Sequence, residues 1–382
     1  MTDKDNRAGL KLGFGFMRIP RLEDGTVNME LLKDLVDRFI GAGGTYFDTA
    51  FTYGTDGDSE TSLRDAVVKR YPRDAFTIAT KVNAGKAVNE EDAKAQFYTS
   101  LERMECGYID YYLLHGVQIA NVQKYEDWHL WEFMNQKKEE GLIRNIGFSF
   151  HSSPEMLDDL LTKHPEVDFV QLQINYADWN DANINSRMCY ETARKHGVKI
   201  TVMEPVKGGG LASPGPAVEK ILKDADPDAS CASWAIRFAA SLDGILTVLS
   251  GMNTLEQMED NLSYMKDFRP LSEAEQEVIT RAQAALKEDN SIKCTGCRYC
   301  TPGCPMQIAI PEIFASMNEY LRYHDRLKFQ RNYGIAVHNG NDASACIQCG
   351  QCEQACPQHL SIIQYLQDTR AKLNELFPDG QA

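Results

Sequence analysis

The chain of 382 residues lacks any long uncharged apolar run and any cluster of basic residues. No stretch approaches the roughly 20 apolar residues that a membrane-spanning helix needs, and residues 1–20 show no apolar segment before a small-residue cleavage site. Lys and Arg number 40 against 55 Asp and Glu, which gives a net charge of −15 and argues against a phosphate-backbone partner. We therefore expect a cytoplasmic protein with neither a membrane nor a nucleic acid partner.

Cysteine is abundant, with 11 residues, but its distribution argues against an extracellular disulfide framework. Such frameworks are typical of short, loop-rich chains with an even number of cysteines, whereas this chain is long and its number is odd. Cys106, Cys189 and Cys231 stand alone, without partners at ligand spacing, and we interpret them as buried apolar side chains. All the others lie after residue 290, which indicates a reducing compartment and a bound metal.

Hydrophobic periodicity before residue 260 predicts short strands alternating with amphipathic helices. The eight candidate strands are 12–16, 45–49, 76–81, 110–115, 145–149, 169–174, 199–204 and 245–250. Strands that recur about every 30 residues with a helix between them require parallel crossovers, and eight such units close a (β/α)8 TIM barrel. An open dinucleotide-binding sheet is disfavoured, because Arg18 stands where a third glycine should follow Gly13 and Gly15.

Two domains are predicted from the position of the strands and cysteines. The barrel would occupy residues 1–287, and a mainly α-helical ferredoxin-like domain would occupy 288–382. Between the two groups of cysteines, the pattern over 311–331 predicts one helix that begins at Pro311.

Both groups of cysteines follow the pattern C-x2-C-x2-C-x3-C-P, which is highly specific for two-cluster ferredoxins. Three closely spaced thiolates can hold three corners of a cubane, while the fourth, displaced to the start of the next helix, faces the other cluster. The pattern therefore predicts two [4Fe–4S] clusters with crossed ligation. The first set is Cys294, Cys297, Cys300 and Cys356, and the second is Cys346, Cys349, Cys352 and Cys304.

Two other interpretations of the cysteines stay open. The first is a pair of tetrahedral zinc sites, although zinc knots usually separate two C-x2-C pairs widely. The second keeps the iron–sulfur clusters but gives them a purely structural role. Two clusters close together favour a path for single electrons over structural staples.

Four polar residues fall near the C-terminal ends of predicted strands, where barrels of this kind place reactive groups. Asp48 ends the second strand, Tyr53 follows in the loop, Lys81 ends the third strand and His115 ends the fourth. Each has an ordinary structural explanation when taken singly. Together they predict a general acid, the Tyr53 hydroxyl, because an adjacent ammonium lowers the pKa of a tyrosine hydroxyl. Asp48 would hold Lys81 in place, and His115 would orient the substrate oxygen.

Three motifs resemble the aldo-keto reductase family, and the resemblance covers about residues 8–285. They are the stretch TYFDTAFTYG with Ser59-Glu60, the strand-end Lys81 in IATK, and LLHG. The C-terminal region resembles the helical dicluster ferredoxin modules of a subgroup of such reductases. The resemblance implies a (β/α)8 barrel that binds a nicotinamide cofactor without a Rossmann motif and reduces carbonyls by hydride transfer. It also implies that the four polar residues above form the catalytic tetrad.

The same resemblance implies contacts to NAD(P)H at the ends of the later strands. Ser149 and Gln171 match the family's carboxamide ligands, although Phe150 stands where the family has Asn. Met203 replaces a stacking aromatic ring, and Val206 lies just beyond it. The segment after the eighth strand adds Gly251, Met252, Asn253, Gln257, Asp260 and Asn261. No Arg or Lys stands there to hold a 2′-phosphate, so the choice between NAD and NADP stays open.

The sequence therefore predicts an NAD(P)H-dependent oxidoreductase that reduces a small carbonyl substrate, or oxidises an alcohol, with Tyr53 as general acid/base. The clusters would exchange single electrons with a ferredoxin-like, flavodoxin-like or other redox protein. Hydride transfer moves two electrons together, and a flavin would divide the pair, but no motif demands one. The alternatives are an electron-transfer protein whose barrel is a docking scaffold, and an ordinary reductase with structural clusters.

Overall fold

The computed structural model describes residues 10–182, 184–288, 291–323, 325–338 and 341–378. Eight parallel strands close a barrel in sequential order, so the predicted (β/α)8 barrel is confirmed, and each predicted strand overlaps an observed one. The strands are β1 Leu12–Gly15, β2 Tyr46–Asp48, β3 Thr77–Val82, β4 Ile109–Val117, β5 Ile143–Phe150, β6 Phe169–Gln173, β7 Lys199–Met203 and β8 Ile245–Ser250.

The helices cover the outside of the barrel and form most of the C-terminal region, as predicted. They are α1 Met29–Gly41, α2 Asp58–Leu63, α3 Glu90–Met104, α4 Val122–Asp127, α5 Leu130–Glu139, α6 Pro154–Lys163, α7 Ser186–Lys195, α8 Pro216–Ala225, α9 Cys231–Ala240, α10 Leu255–Met265, α11 Glu273–Glu288, α12 Ile310–Tyr323, α13 Arg326–His338, α14 Gln351–Gln354 and α15 Ile362–Leu376. Among the described residues, no helix combines the length and the apolar character needed to cross a bilayer.

Helix α1 shows how the outer layer packs on the barrel. Asn28 caps the helix by accepting a hydrogen bond from Leu31 N at 3.1 Å. Phe39, on its buried face, contacts the strand residues Phe14 and Phe47 with ring centroids 5.7 and 5.3 Å apart. Complete burial of such a side chain stabilises the fold by about 1.5–3 kcal/mol, so this apolar stripe fixes the helix against β1 and β2.

The interior of the barrel is filled by side chains from β2, β3, β4, β6 and β8. A cluster of Tyr46, Ala79, Leu113, Phe169 and Leu249 is buried there. A filled interior leaves ligands only the ends of the barrel, and the C-terminal ends of the strands are where reactive groups of such barrels lie.

The single helix predicted over 311–331 is wrong, because two helices, α12 and α13, cover this region. Asp325 begins the second one: its carboxylate accepts a hydrogen bond from Lys328 N at 3.0 Å, and its carbonyl accepts one from Phe329 N at 3.0 Å. An aspartate at this position is a strong N-cap, and it overrides a hydrophobic pattern that continues through the break.

The described residues form two compact units. The first holds the chain up to Val206 together with Ala232–Glu273, and the second holds Lys207–Cys231 together with the chain from Ala274 onward. The first unit therefore contains all eight strands, and the second contains both groups of cysteines. These units mix segments of the two predicted domains, and the boundary predicted between residues 287 and 288 stays a prediction.

Within the second unit, Gly208 packs directly against the backbone of the first cysteine loop. Gly208 has φ +65°, and a Cβ on it would lie 2.1 Å from the carbonyl oxygen of Thr295. Glycine is needed here for two reasons, since both the left-handed backbone and the close approach exclude a side chain. Thr295 follows Cys294, so this contact bears on the shape of the first cysteine loop.

We expect Gly208→Ala to destabilise the second unit by about 3 kcal/mol, the upper end of the usual range for one substitution. Gly209→Ala is the matched control: Gly209 also has a positive φ, of +98°, but nothing lies within 4 Å of its Cβ position. The control should show only the backbone penalty of about 1–2 kcal/mol. Hydrogen exchange of amides in α12 and α15 measures both losses, and equal losses would contradict the close-approach argument.

Candidate functional site

Asp48 and Lys81 form a buried ion pair at the ends of β2 and β3. Asp48 pairs with Ala79 in the sheet, which brings Lys81, two residues further on, to the same side of β3. Lys81 Nζ donates to Asp48 Oδ1 at 2.7 Å, Asp48 Oδ2 at 2.8 Å and the Thr49 carbonyl at 2.6 Å. Burial lowers the pKa of Lys81 and raises that of Asp48, and the attraction between the two groups opposes both shifts. The ammonium is thus held firmly by three oxygens.

Tyr53 lies between Lys81 and His115. Lys81 Nζ is 4.9 Å from the centroid of the Tyr53 ring. The rings of Tyr53 and His115 are 5.5 Å apart and meet edge to face at 79°. The structure therefore brings together all four residues of the predicted tetrad, while their catalytic roles stay a prediction.

His115 lies at an irregularity in β4. The pairing of β4 with β5 shifts register between Leu114 and Val117, and such bulges change the direction in which a side chain points. Tyr125 OH donates to the His115 carbonyl at 2.6 Å and holds the backbone there. Burial lowers the pKa of His115 well below its usual range, and the nearby Lys81 adds to the shift. The imidazole is therefore neutral at neutral pH and has one N–H to donate.

The loop that carries Tyr53 is held by two charged residues to which the sequence analysis assigned no role. Glu60 is completely buried and accepts hydrogen bonds from Thr80 Oγ1 at 2.7 Å and Arg103 Nη1 at 3.0 Å. Arg103 also donates to the Phe51 carbonyl at 3.2 Å, two residues before Tyr53. Arg103 lies 43 residues after Glu60, on α3, so no local motif could have indicated this contact.

Ser149 and Gln171 lie side by side, because they pair in the register of β5 and β6. Ser149 Oγ accepts a hydrogen bond from Gly116 N at 2.7 Å. Gln171 is 2% exposed, and its Oε1 has no hydrogen-bond partner among the described residues. A buried acceptor without a partner costs about 1–3 kcal/mol, so this oxygen suits an N–H donor supplied by a ligand. Phe150, in the position of the family's Asn, is buried in the barrel core.

Four of the residues predicted after β8 take part in the protein's own packing. Met252 is buried in the core. Gln257 Oε1 accepts from Asn253 N at 2.9 Å at the start of α10, and Asn261 Nδ2 donates to Ser250 Oγ at 2.8 Å. The role of these residues as cofactor ligands stays a prediction.

Arg18 is a basic residue near this segment that sequence reasoning assigned no functional role. It ends a short helical turn after β1, and its Cβ lies 3.7 Å from the position that a Cβ on Gly251 would take. Its Nη2 is 3.8 Å from Glu204 Oε1, just beyond β7 and the half-buried Met203.

Two further residues predicted to contact the cofactor are half-buried. Val206 packs against the barrel core, and Asp260 lies on α10.

The second unit contains two small cavities, and each is lined by four cysteines. The cysteines at the first are Cys294, Cys297, Cys300 and Cys356, and those at the second are Cys304, Cys346, Cys349 and Cys352. The structure thus groups the thiols in the same crossed sets that the motif spacing predicts. Four thiols around a cavity are the donor set by which proteins hold iron–sulfur clusters.

The two cavities differ in their surroundings. Arg298, which pairs with Glu312, lines the first cavity, whereas every residue lining the second is uncharged. Burial raises the pKa of Cys294 to about 11 and that of Cys300 to about 12, and neighbouring thiols add to both shifts. Within the described ranges, no three His, Cys, Asp or Glu side chains are arranged to hold a single metal ion.

Comparisons with protein families divide the chain in the same order as the motifs. The family model described as the Aldo/keto reductase family matches residues 11–284. A second model, described as a 4Fe-4S dicluster domain, matches residues 293–361.

Individual relatives match the barrel part of the chain. An aldo-keto reductase of Mycolicibacterium vanbaalenii is 30% identical over 272 residues, covering 69% of this chain and 84% of the relative. The L-galactose dehydrogenase of Arabidopsis thaliana is 24% identical over 64% of this chain and 81% of its own length. Among solved structures, an aldo/keto reductase of Klebsiella pneumoniae in complex with NADP and acetate superimposes with a TM-score of 0.57 at 20% identity, over 71% of this chain and 90% of that one.

Proposed function

Because the chain belongs to the aldo/keto reductase family and is therefore an oxidoreductase, we propose that it transfers hydride between NAD(P)H and a carbonyl/alcohol pair and exchanges single electrons through two [4Fe–4S] clusters. The observation that carries the hydride-transfer proposal is the position of Lys81, whose Nζ lies 4.9 Å from the centroid of the Tyr53 ring. The His115 ring contacts the same tyrosine edge to face. The electron-exchange proposal is supported by the eight thiols grouped around two cavities.

The proposed chemistry at the barrel is proton transfer by Tyr53. In the direction of reduction, Tyr53 delivers its phenolic proton to the substrate oxygen as that oxygen gains negative charge. The Lys81 cation stabilises the phenolate that is left, and Asp48 keeps the cation in position. His115, being neutral, donates a hydrogen bond that orients the same oxygen. When bound, the nicotinamide supplies or accepts the hydride, and the clusters supply or accept single electrons.

Two residues are proposed to hold the nicotinamide carboxamide. The Gln171 oxygen lacks a donor within the described structure, and an amide N–H would satisfy it. The Ser149 hydroxyl already accepts from Gly116 and still has its own proton to donate to a carbonyl oxygen. Side by side on β5 and β6, the pair presents one donor and one acceptor, as a planar amide requires.

Anaerobic purification followed by iron, sulfide, zinc and flavin analysis tests the cluster proposal. We expect about eight iron atoms and as many acid-labile sulfides per chain, because each four-thiol site would hold a tetranuclear cluster. Cys349→Ser should lower the iron content by up to half, and Cys189→Ala, at a buried cysteine away from both cavities, should leave it unchanged. Zinc in place of iron would contradict the proposal, and the flavin content shows whether a group that divides electron pairs is present.

A further inference from the structure

We infer that the surface loop 343–352 is the docking site of a small one-electron carrier protein, and that electrons cross the protein surface beside Ile347. The inference rests on the proposed function, because it requires a cluster in the second cavity. The inference also specifies which of the two four-thiol sites faces the partner protein and which side chain the partner contacts.

The thiols of the second cavity reach the surface more fully than those of the first. Cys349 is exposed, and its neighbour Ile347 is 60% exposed, although both line the cavity. Each cavity also has buried cysteines, which are Cys352 at the second and Cys300 and Cys356 at the first, but no cysteine of the first cavity is as exposed as Cys349. Electron transfer requires close approach between the two redox groups, so the exposed thiol loop offers the shorter route out of the protein.

The loop also carries no charged side chain. Its sequence ASACIQCGQC contains no charged residue, in a chain whose net charge is −15. Every residue that lines the cavity beneath it is uncharged as well. A neutral patch with an exposed isoleucine avoids repelling a carrier of either sign and offers it apolar contact. Transient electron-transfer encounters bury less than about 1,200 Å², so one loop can supply much of such an interface.

Two other exposed apolar positions in the second unit serve as comparisons. Leu327, on α13, is 64% exposed but lies in a helix with Arg326, Lys328 and Arg331 and does not line either cavity. Tyr299, beside Cys300 of the first cavity, is 37% exposed. Among these three places, the loop 343–352 is the one with an exposed cysteine, Cys349.

The step itself is the transfer of one electron. A reduced cluster in the second cavity loses one electron and is oxidised, and the carrier gains that electron and is reduced. No bond forms or breaks, and no proton is needed for the balance. The reverse transfer uses the same surface.

The test compares Ile347→Asp with Leu327→Asp and Tyr299→Asp in the anaerobically purified full chain. Clusters are reduced with dithionite, and electron paramagnetic resonance and redox titration verify that both clusters are unchanged in each variant. Stopped-flow mixing then measures oxidation by a 2[4Fe–4S] ferredoxin, by a flavodoxin and by the small acceptor methyl viologen. We expect Ile347→Asp to lower the second-order rate with at least one of the two proteins by about tenfold, with methyl viologen unaffected and the other variants close to wild type.

Several results would overturn the inference. A slower rate for Leu327→Asp or Tyr299→Asp but not Ile347→Asp would place the contact on α13 or at the first cavity. Equal rates for all variants would show that the loop is not the contact. Failure of the proposed function gives a different result, because the wild-type protein would then show no cluster signals after reduction.

Discussion

Replacing Tyr53 with Phe is expected to lower carbonyl turnover by about 10²- to 10⁴-fold, the usual contribution of a positioned general acid. The substitution removes only the hydroxyl, and the ring that contacts Lys81 and His115 is kept. Binding of NAD(P)H and the iron content should therefore stay the same. Steady-state oxidation of NAD(P)H with a panel of small aldehydes and ketones, under anaerobic conditions, measures the loss.

Tyr112→Phe is the matched control for this experiment. Tyr112 is buried on the same strand as His115, and its hydroxyl has no hydrogen-bond partner among the described residues. Its removal should leave turnover unchanged. If Tyr53→Phe were as active as the wild type, hydride chemistry would not depend on this phenol, and the barrel would be better explained as a docking scaffold.

Replacing Lys81 with Met should both abolish turnover and destabilise the first unit. The Lys81–Asp48 pair is almost completely buried, with side-chain exposures of 1% and 6%. Removing the ammonium leaves the Asp48 carboxylate without a cation, and breaking one partner of a buried pair costs about 3–5 kcal/mol. Urea unfolding followed by tryptophan fluorescence measures the loss, because Trp128, Trp131, Trp179 and Trp234 all lie in the first unit.

The double variant Asp48→Asn with Lys81→Met separates stability from catalysis. It removes both charges, so most of the lost stability should return, as happens when buried ion pairs are replaced together. Turnover should not return, because no cation remains to stabilise the Tyr53 phenolate. Full activity in the double variant would show that Lys81 serves only the folding of the barrel.

The sequence predicted the features of this protein that depend on hydrophobic periodicity and on the spacing of residues within motifs. Eight strands appear as eight apolar runs because a parallel strand covered on both faces needs such a run. The crossed grouping of thiols was predictable because a short motif fixes which cysteines share a loop. The proximity of Asp48, Lys81 and His115 was predictable because all three stand at strand ends, and the barrel brings strand ends together.

Contacts between distant segments were not predictable in the same way. Arg103 reaches Glu60 across 43 residues of sequence, and a charge on an amphipathic helix normally indicates only a solvated face. Gln257 illustrates a different ambiguity, since the residue that resembles a cofactor ligand also binds Asn253 N at the start of α10. The break before α13 was missed because a capping carboxylate leaves no trace in the hydrophobic pattern.

The proposed contact between Gln171 Oε1 and the nicotinamide carboxamide would make the stability of the folded chain depend on bound nucleotide. A buried acceptor without a donor raises the free energy of the empty barrel, and a dinucleotide whose amide fills that place stabilises the folded chain by mass action. Because cellular proteases act on transiently opened chains, copies without nucleotide would then be degraded sooner than copies that hold it.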